Sequence, residues 1–156
     1  MRKYLLASCV ALMASILFVP TALKADSFTF NISGTGLTAS GTFTTGNPVN
    51  GVYTVTSITG TLNGAQIGLL GVNTFDGNDN LLDMKSGATE VDSGGISFVA
   101  NGVDYNLFYR PQLSSYVLDS GSENASNGLV VSFDPTQTTG TTSASEPGSV
   151  LMLATG

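Results

Sequence analysis

The sequence predicts an antiparallel all-β domain, a β-sandwich or a jelly-roll-like barrel, following an N-terminal signal helix. Three observations lead there. About half of residues 26–156 are Gly, Thr, Ser or Asn, and few residues favour helix. Apolar side chains recur with a period of two in short runs, the signature of half-buried strands. The runs are separated by Asn-Gly and Gly-rich breaks that suit tight turns.

The elements follow in order. Ser27-Phe28-Thr29-Phe30-Asn31-Ile32-Ser33 alternates strictly and places Phe28, Phe30 and Ile32 on one face. After Gly34-Thr35-Gly36, Leu37, Ala39, Gly41 and Phe43 alternate with Thr38, Ser40, Thr42 and Thr44 as a second strand. Residues 52–61 make a third, whose apolar phase slips between Val55 and Ile58 and so predicts a bulge. Asn63-Gly64 joins it to Ala65-Gln66-Ile67 by a hairpin, since Asn and Gly both accept positive φ. Residues 76–83 run from polar to apolar without a period. Residues 95–100 pair with 103–109 across Asn101-Gly102, with Val103, Tyr105, Leu107 and Tyr109 on one face. Asp104, Asn106 and Arg110 lie on the other, with Phe108 as its apolar exception. Pro111 ends that strand, and Ser115-Tyr116-Val117-Leu118 and Leu129-Val130-Val131-Ser132-Phe133 supply the last two.

The N-terminus reads as a secretory signal peptide. Arg2 and Lys3 precede an almost wholly apolar run from Leu5 to Val19, Pro20 ends it, and Ala25 offers a small residue for cleavage before Asp26, with Ala22 as an alternative end. The apolar run is short for a membrane span. Leu6-Ala7-Ser8-Cys9 also matches a lipobox, by which Cys9 would become a lipidated first residue. After residue 25 the only basic side chains are Lys85 and Arg110, against 11 acids. That balance excludes nucleic acid and anionic membranes as electrostatic partners. The chain has no His, and its single Cys is Cys9, so imidazole and thiol chemistry and disulfides are excluded from the domain. The organisation expected is a signal peptide over 1–25, a β domain over 26–134 and a solvated Thr/Ser-rich linker over 135–145. A terminal segment over 146–156 completes it.

That terminal segment carries Glu146-Pro147-Gly148-Ser149 and then an apolar run from Val150 to Ala154. With the signal peptide, the Thr/Ser/Gly-rich domain and the linker, it resembles the bacterial PEP-CTERM family. The stretch Phe75-Asp76-Gly77-Asn78-Asp79-Asn80-Leu81-Leu82, followed by Gly94-Gly95-Ile96-Ser97-Phe98, is similar to a pattern of small exported domains in that group. The tail is abbreviated: Ser145 stands where the family has its first Pro, and no basic cluster follows the apolar run. The resemblance implies export, recognition of Glu146, Pro147, Gly148 and Ser149 by an exosortase-type membrane protease, and delivery to the cell surface or extracellular polymer.

Three sets of residues are candidates for chemistry. Asp76, Asn78, Asp79 and Asp83 place oxygens near the spacing of a calcium loop, although Leu81 and Gly87 stand where an EF-hand needs Gly and Glu. Tyr105, Tyr109 and Tyr116, with Tyr53, offer rings for stacking on polysaccharide if they lie coplanar on an exposed face; otherwise they pack in the sheet. Paired acids such as Asp76, Asp83 or Asp104 would serve a hydrolase if two carboxyl groups met in a cleft. Asp92-Ser93-Gly94 and Asp119-Ser120-Gly121 repeat the loop motif of aspartic proteases, but only 27 residues apart in sequence, and they read as Asx turns at strand ends. The function expected is that of a non-enzymatic exported protein of the cell envelope or extracellular matrix. A carbohydrate-binding module and an acid-pair hydrolase are the alternatives.

Overall fold

The computed structural model describes residues 25–121 and 128–138. The signal peptide up to residue 24, Cys9, residues 139–145 of the expected linker and the whole 146–156 tail lie outside them. The strands are β1 (Asp26–Gly34), β2 (Leu37–Thr45), β3 (Val52–Leu62), β4 (Ala65–Leu69), β5 (Leu81–Asp83), β6 (Ile96–Ala100), β7 (Val103–Arg110), β8 (Ser115–Ser120) and β9 (Leu129–Thr138). A 3-10 turn at Pro111–Leu113 links β7 to β8.

All pairing is antiparallel. Eight strands close into a barrel in which each pairs with the next, β1–β2–β3–β4–β6–β7–β8–β9, and β9 returns to β1. The expected all-β antiparallel class is therefore realised as a barrel, connected as an up-and-down meander rather than through Greek-key crossovers. Asn63 and Asn101 turn their hairpins with left-handed φ of 47° and 50°. The phase slip in β3 is a bulge at Thr56, since Thr44 pairs with Ser57 and Thr45 with Val55. It returns Val55 and Ile58 to the same buried side.

Alternation sets the barrel's polarity. Phe28, Phe30, Ile32, Ala39, Phe43, Ile58 and Leu62 are buried, while Thr29, Asn31, Ser33, Thr38 and Ser40 are exposed. An apolar interior with a polar outer wall is the reverse of a lipid-facing barrel. Aromatic rings thread the interior. Phe30 stacks on Phe43 at 4.3 Å, Phe43 meets Phe133 edge-on at 6.3 Å, Phe133 meets Tyr116 at 5.3 Å, and Tyr116 meets Tyr109 at 5.4 Å. Gly41 faces Gly60 across the β2–β3 ladder, and a Cβ on Gly41 would lie 2.0 Å from the Thr59 carbonyl oxygen. The Phe30 ring occupies the adjoining space, where that Cβ would also fall 2.9 Å from it.

One boundary differs from the sequence reading. Residues 135–138, expected to begin the linker, continue β9 and pair with β1 through Phe30↔Pro135 to Ser27↔Thr138. Strand pairing draws on backbone groups and needs no apolar side chains, so the polar run Thr136-Gln137-Thr138 gave no sign of it. Pro135 stands beyond Val131, the last β9 residue paired with β8, where a strand proline is tolerated. Thr29 Oγ1 donates to the Thr136 carbonyl and Thr138 Oγ1 to that of Ser27. Truncating the chain after Asp134 should therefore lower Tm by roughly 8 °C, about 2 kcal/mol, relative to truncation after Thr138. Thermal melts of the two truncations monitored by circular dichroism check this.

Candidate functional site

The meander leaves one wall of the barrel poorly paired. β4 leaves β3 after two pairs, Thr61↔Gln66 and Leu62↔Ala65, and crosses to β6 at Ile67↔Ala100. The longer β3 keeps unmatched backbone groups on that edge, which need partners. Residues 70–83 supply them. β5 pairs with the start of β3 through Val52↔Asp83, Tyr53↔Leu82 and Thr54↔Leu81, and the Val55 N–H donates to the Asn80 carbonyl at 2.9 Å.

Asn80 then ties this segment to the rest of the wall. Its N–H donates to the Gly95 carbonyl at 2.9 Å, and its Nδ2 to that of Leu70 at 2.8 Å. Its Oδ1 accepts from the Ser97 N–H at 3.0 Å and from Asn78 Nδ2 at 2.8 Å. Asn78 Nδ2 also donates to the Gly71 carbonyl, and its Oδ1 accepts the N–H groups of Thr74 and Phe75. Both amides are buried and satisfied.

The same loop covers the outer face of β6, β7 and β8. Ser97, Asn106, Phe108, Val117 and Asp119 point away from the barrel interior, yet all are buried. The face that carries Asp104, Asn106 and Arg110 is thus partly enclosed, in keeping with Phe108 within it. Asn106 Nδ2 donates to the Gly94 carbonyl. Its Oδ1 lies so close to Gly95 that a Cβ there would fall within 2.3 Å, and it has no hydrogen-bond partner among the described residues.

Carboxyl groups gather along this loop in two pairs. Asp76 lies beside Asp119, and Asp79 beside Asp92. Each aspartate of the Asp-Ser-Gly repeat therefore faces a loop aspartate. Each also closes a turn onto its own backbone, Asp92 Oδ1 accepting the Gly94 N–H and Asp119 Oδ1 the Ser120 N–H. Loss of hydration raises the Asp76 carboxyl above the ordinary range, and the Asp119 charge adds to it. Asp79 is raised mainly by desolvation and further by Asp92, while the Leu81 N–H acts in the opposite sense.

The calcium set read from the sequence is not brought together. Asp76 joins Asp119, Asn78 braces the loop and Asp79 joins Asp92. Asp83 accepts the Lys85 N–H and lies 3.0 Å from the Lys85 ammonium, which together hold it below the usual range. Among the described residues no three acids converge as metal ligands. Of the acids considered for a hydrolase pair, Asp83 is held by Lys85 and Asp76 lies beside Asp119. Asp104 lines a separate surface pocket of about 400 Å³ with Phe75, Gly102, Val103 and Gly121.

The tyrosines form no flat platform. Tyr105 stacks on Phe98, and Tyr109 meets Tyr116 at 69° between planes. Tyr53 packs edge-on against Phe28. Tyr105 also borders a pocket of about 200 Å³ with Asn63 and Asn101 at one end of the barrel. The Tyr116 hydroxyl donates to the Glu90 carboxylate and accepts the Glu90 N–H, and burial together with that carboxylate raises it well above the ordinary tyrosine range. Fold and site define a closed antiparallel meander barrel with a loop braced by asparagines on its outer wall. No protein-family model, curated protein or solved structure matches the chain.

Asn80→Ala would remove the side-chain partners of the Ser97 N–H and the Leu70 carbonyl and leave Asn78 Nδ2 with Gly71 alone. At about 1 kcal/mol or more for each buried group, Tm should fall by roughly 12 °C in a thermal melt. The raised carboxyls act in the opposite sense. Folding lifts Asp76 above its unfolded value, so its stabilising contribution exists only at low pH and is lost as pH rises through the lifted value. Asp76→Asn in metal-free buffer should therefore raise Tm at pH 7 by roughly 1–4 °C, a screened surface effect. At pH 3 the gain should vanish, as a pair of melting curves will read.

Proposed function

We propose that the chain is an exported, non-enzymatic β-barrel protein of the cell surface or extracellular matrix, delivered through its PEP-CTERM-like tail. The observation that carries the reading is where the fold starts. β1 begins at Asp26, immediately after the expected cleavage at Ala25, and Asp26 already pairs with Thr45. Cleavage there leaves the first strand whole.

A Thr-, Ser- and Asn-covered wall and an apolar interior hold the domain by packing and backbone pairing, so export would not depend on disulfide formation. The non-enzymatic reading is supported by what the polar side chains do. Asn78 and Asn80 are committed to the brace, Asp83 to Lys85 and Tyr116 to Glu90. The partners proposed are the export machinery and an exosortase-type protease acting at Glu146, Pro147, Gly148 and Ser149.

Protein recovered outside the cytoplasm of the producing bacterium should begin at Asp26 when its terminal peptide is read by mass spectrometry. A chain starting at Met1 or Arg2 in that fraction would overturn the reading, and a lipidated Cys9 would replace it with lipoprotein anchoring. Deleting residues 146–156 should change the fraction in which the protein is found.

A further inference from the structure

Asp119 is a carboxylate placed where a carboxylate is costly. It is only 3% exposed, on the outer face of β8 beneath the covering loop. Its Oδ1 accepts the Ser120 N–H, while its Oδ2 is buried and has no hydrogen-bond partner among the described residues. A buried carboxylate oxygen calls for a donor or a cation. The loop sets Asp76, an exposed second carboxyl group, within side-chain hydrogen-bond reach of Asp119, where the two satisfy each other only with a proton or a cation between them. The amide nearest in sequence is not free to intervene, because both ends of Asn78 are taken by Gly71, Thr74, Phe75 and Asn80.

We propose that Asp76 and Asp119 form a binding site for a hard divalent cation, calcium above all, with Asp119 Oδ2 as the inner ligand and Asp76 as the outer one. Oxygen-only donors with no His or Cys nearby select calcium-like ions over softer metals. Calcium tolerates an irregular shell completed by water, and solvent reaches the neighbourhood. The pocket lined by Phe75, Asp104 and Gly121 adjoins the residue before Asp76 and the second residue after Asp119. Of the four residues with calcium-loop spacing, only Asp76 belongs to this site. Its partner comes from a strand 43 residues further along the chain. Two protein carboxylates place the affinity at the weak end of calcium sites, roughly the millimolar range of extracellular modules. The bound ion would pin residues 76–79 to the end of β8. The inference goes beyond the export reading and does not depend on it.

Thermal melts of the purified full-length chain in EDTA and in 10 mM CaCl2 test it. Calcium should raise Tm by roughly 5 °C, and sodium chloride of equal ionic strength should not. Asp119→Asn and Asp76→Asn should each lose the rise, and Asp83→Asn, whose partner is Lys85, should keep it. Asp76 is exposed, so Asp76→Asn should fold even if Asp119→Asn does not. Calorimetric titration of CaCl2 into Asp76→Asn should show at least a tenfold loss of affinity against the unaltered chain. A calcium-induced rise that survives in Asp76→Asn would overturn the proposal, as would its absence from the unaltered chain. A chain stabilised by acid but indifferent to calcium would also overturn it, by showing that the two carboxyl groups share a proton instead.

Discussion

Asn80 holds together three strands that their own ladder leaves apart. β3 and β4 share only two residue pairs before β4 turns to β6, so this wall would otherwise present unpaired backbone groups to the core. Through its own N–H and C=O and both ends of its amide, Asn80 reaches Val55 on β3, Leu70 beyond β4, and Gly95 and Ser97 at β6. Its left-handed φ of 56° is one that Asn tolerates better than most residues. In the low-dielectric interior such a network is favourable only when every member is satisfied, and Asn78 completes it.

The interior depends on that closure. A meander barrel has no free edge once β9 meets β1, and its inward side chains fill the lumen. Phe30, Phe43, Phe133 and Tyr116 form a continuous run of aromatic contacts from the β1–β2 hairpin to β8. This explains why the tyrosines serve packing. Tyr105, Tyr109 and Tyr116 occupy the inward phase of their strands, and the Tyr116 hydroxyl reaches Glu90.

Four of the chain's 11 acids meet along the covering loop: Asp76 with Asp119 on β8, and Asp79 with Asp92 ahead of β6, set like charges side by side. Such placement opposes folding at neutral pH unless a counter-charge arrives, so the loop is the part of the domain most open to control by its ionic surroundings. The barrel behind the loop is held by apolar burial and backbone pairing, which salt and calcium leave largely alone.

Much of the fold was legible in the sequence because strand alternation, Asn-Gly turns and the β3 bulge are local. Phe28-Thr29-Phe30, Asn63-Gly64, Asn101-Gly102 and the slip between Val55 and Ile58 each carry their meaning within a few residues. Residues 135–138 were not legible as strand, because their pairing with Ser27–Phe30 uses main-chain groups that every sequence possesses. The site was legible only as a list. Asp76, Asn78 and Asn80 at alternate positions announce a loop rich in oxygen, but spacing does not say which side chains turn inward to brace backbone and which turn outward to meet a charge. Burial decided that. Asn78 and Asn80 lie under the loop against β3 and β6, and Asp76 lies above Asp119, a neighbour made by the return of the chain through β6, β7 and β8. Local chemistry set which conformations the segments prefer. Long-range packing set which carboxyl groups share a place, because electrostatic pairing depends on distance in space and the sequence records only distance along the chain.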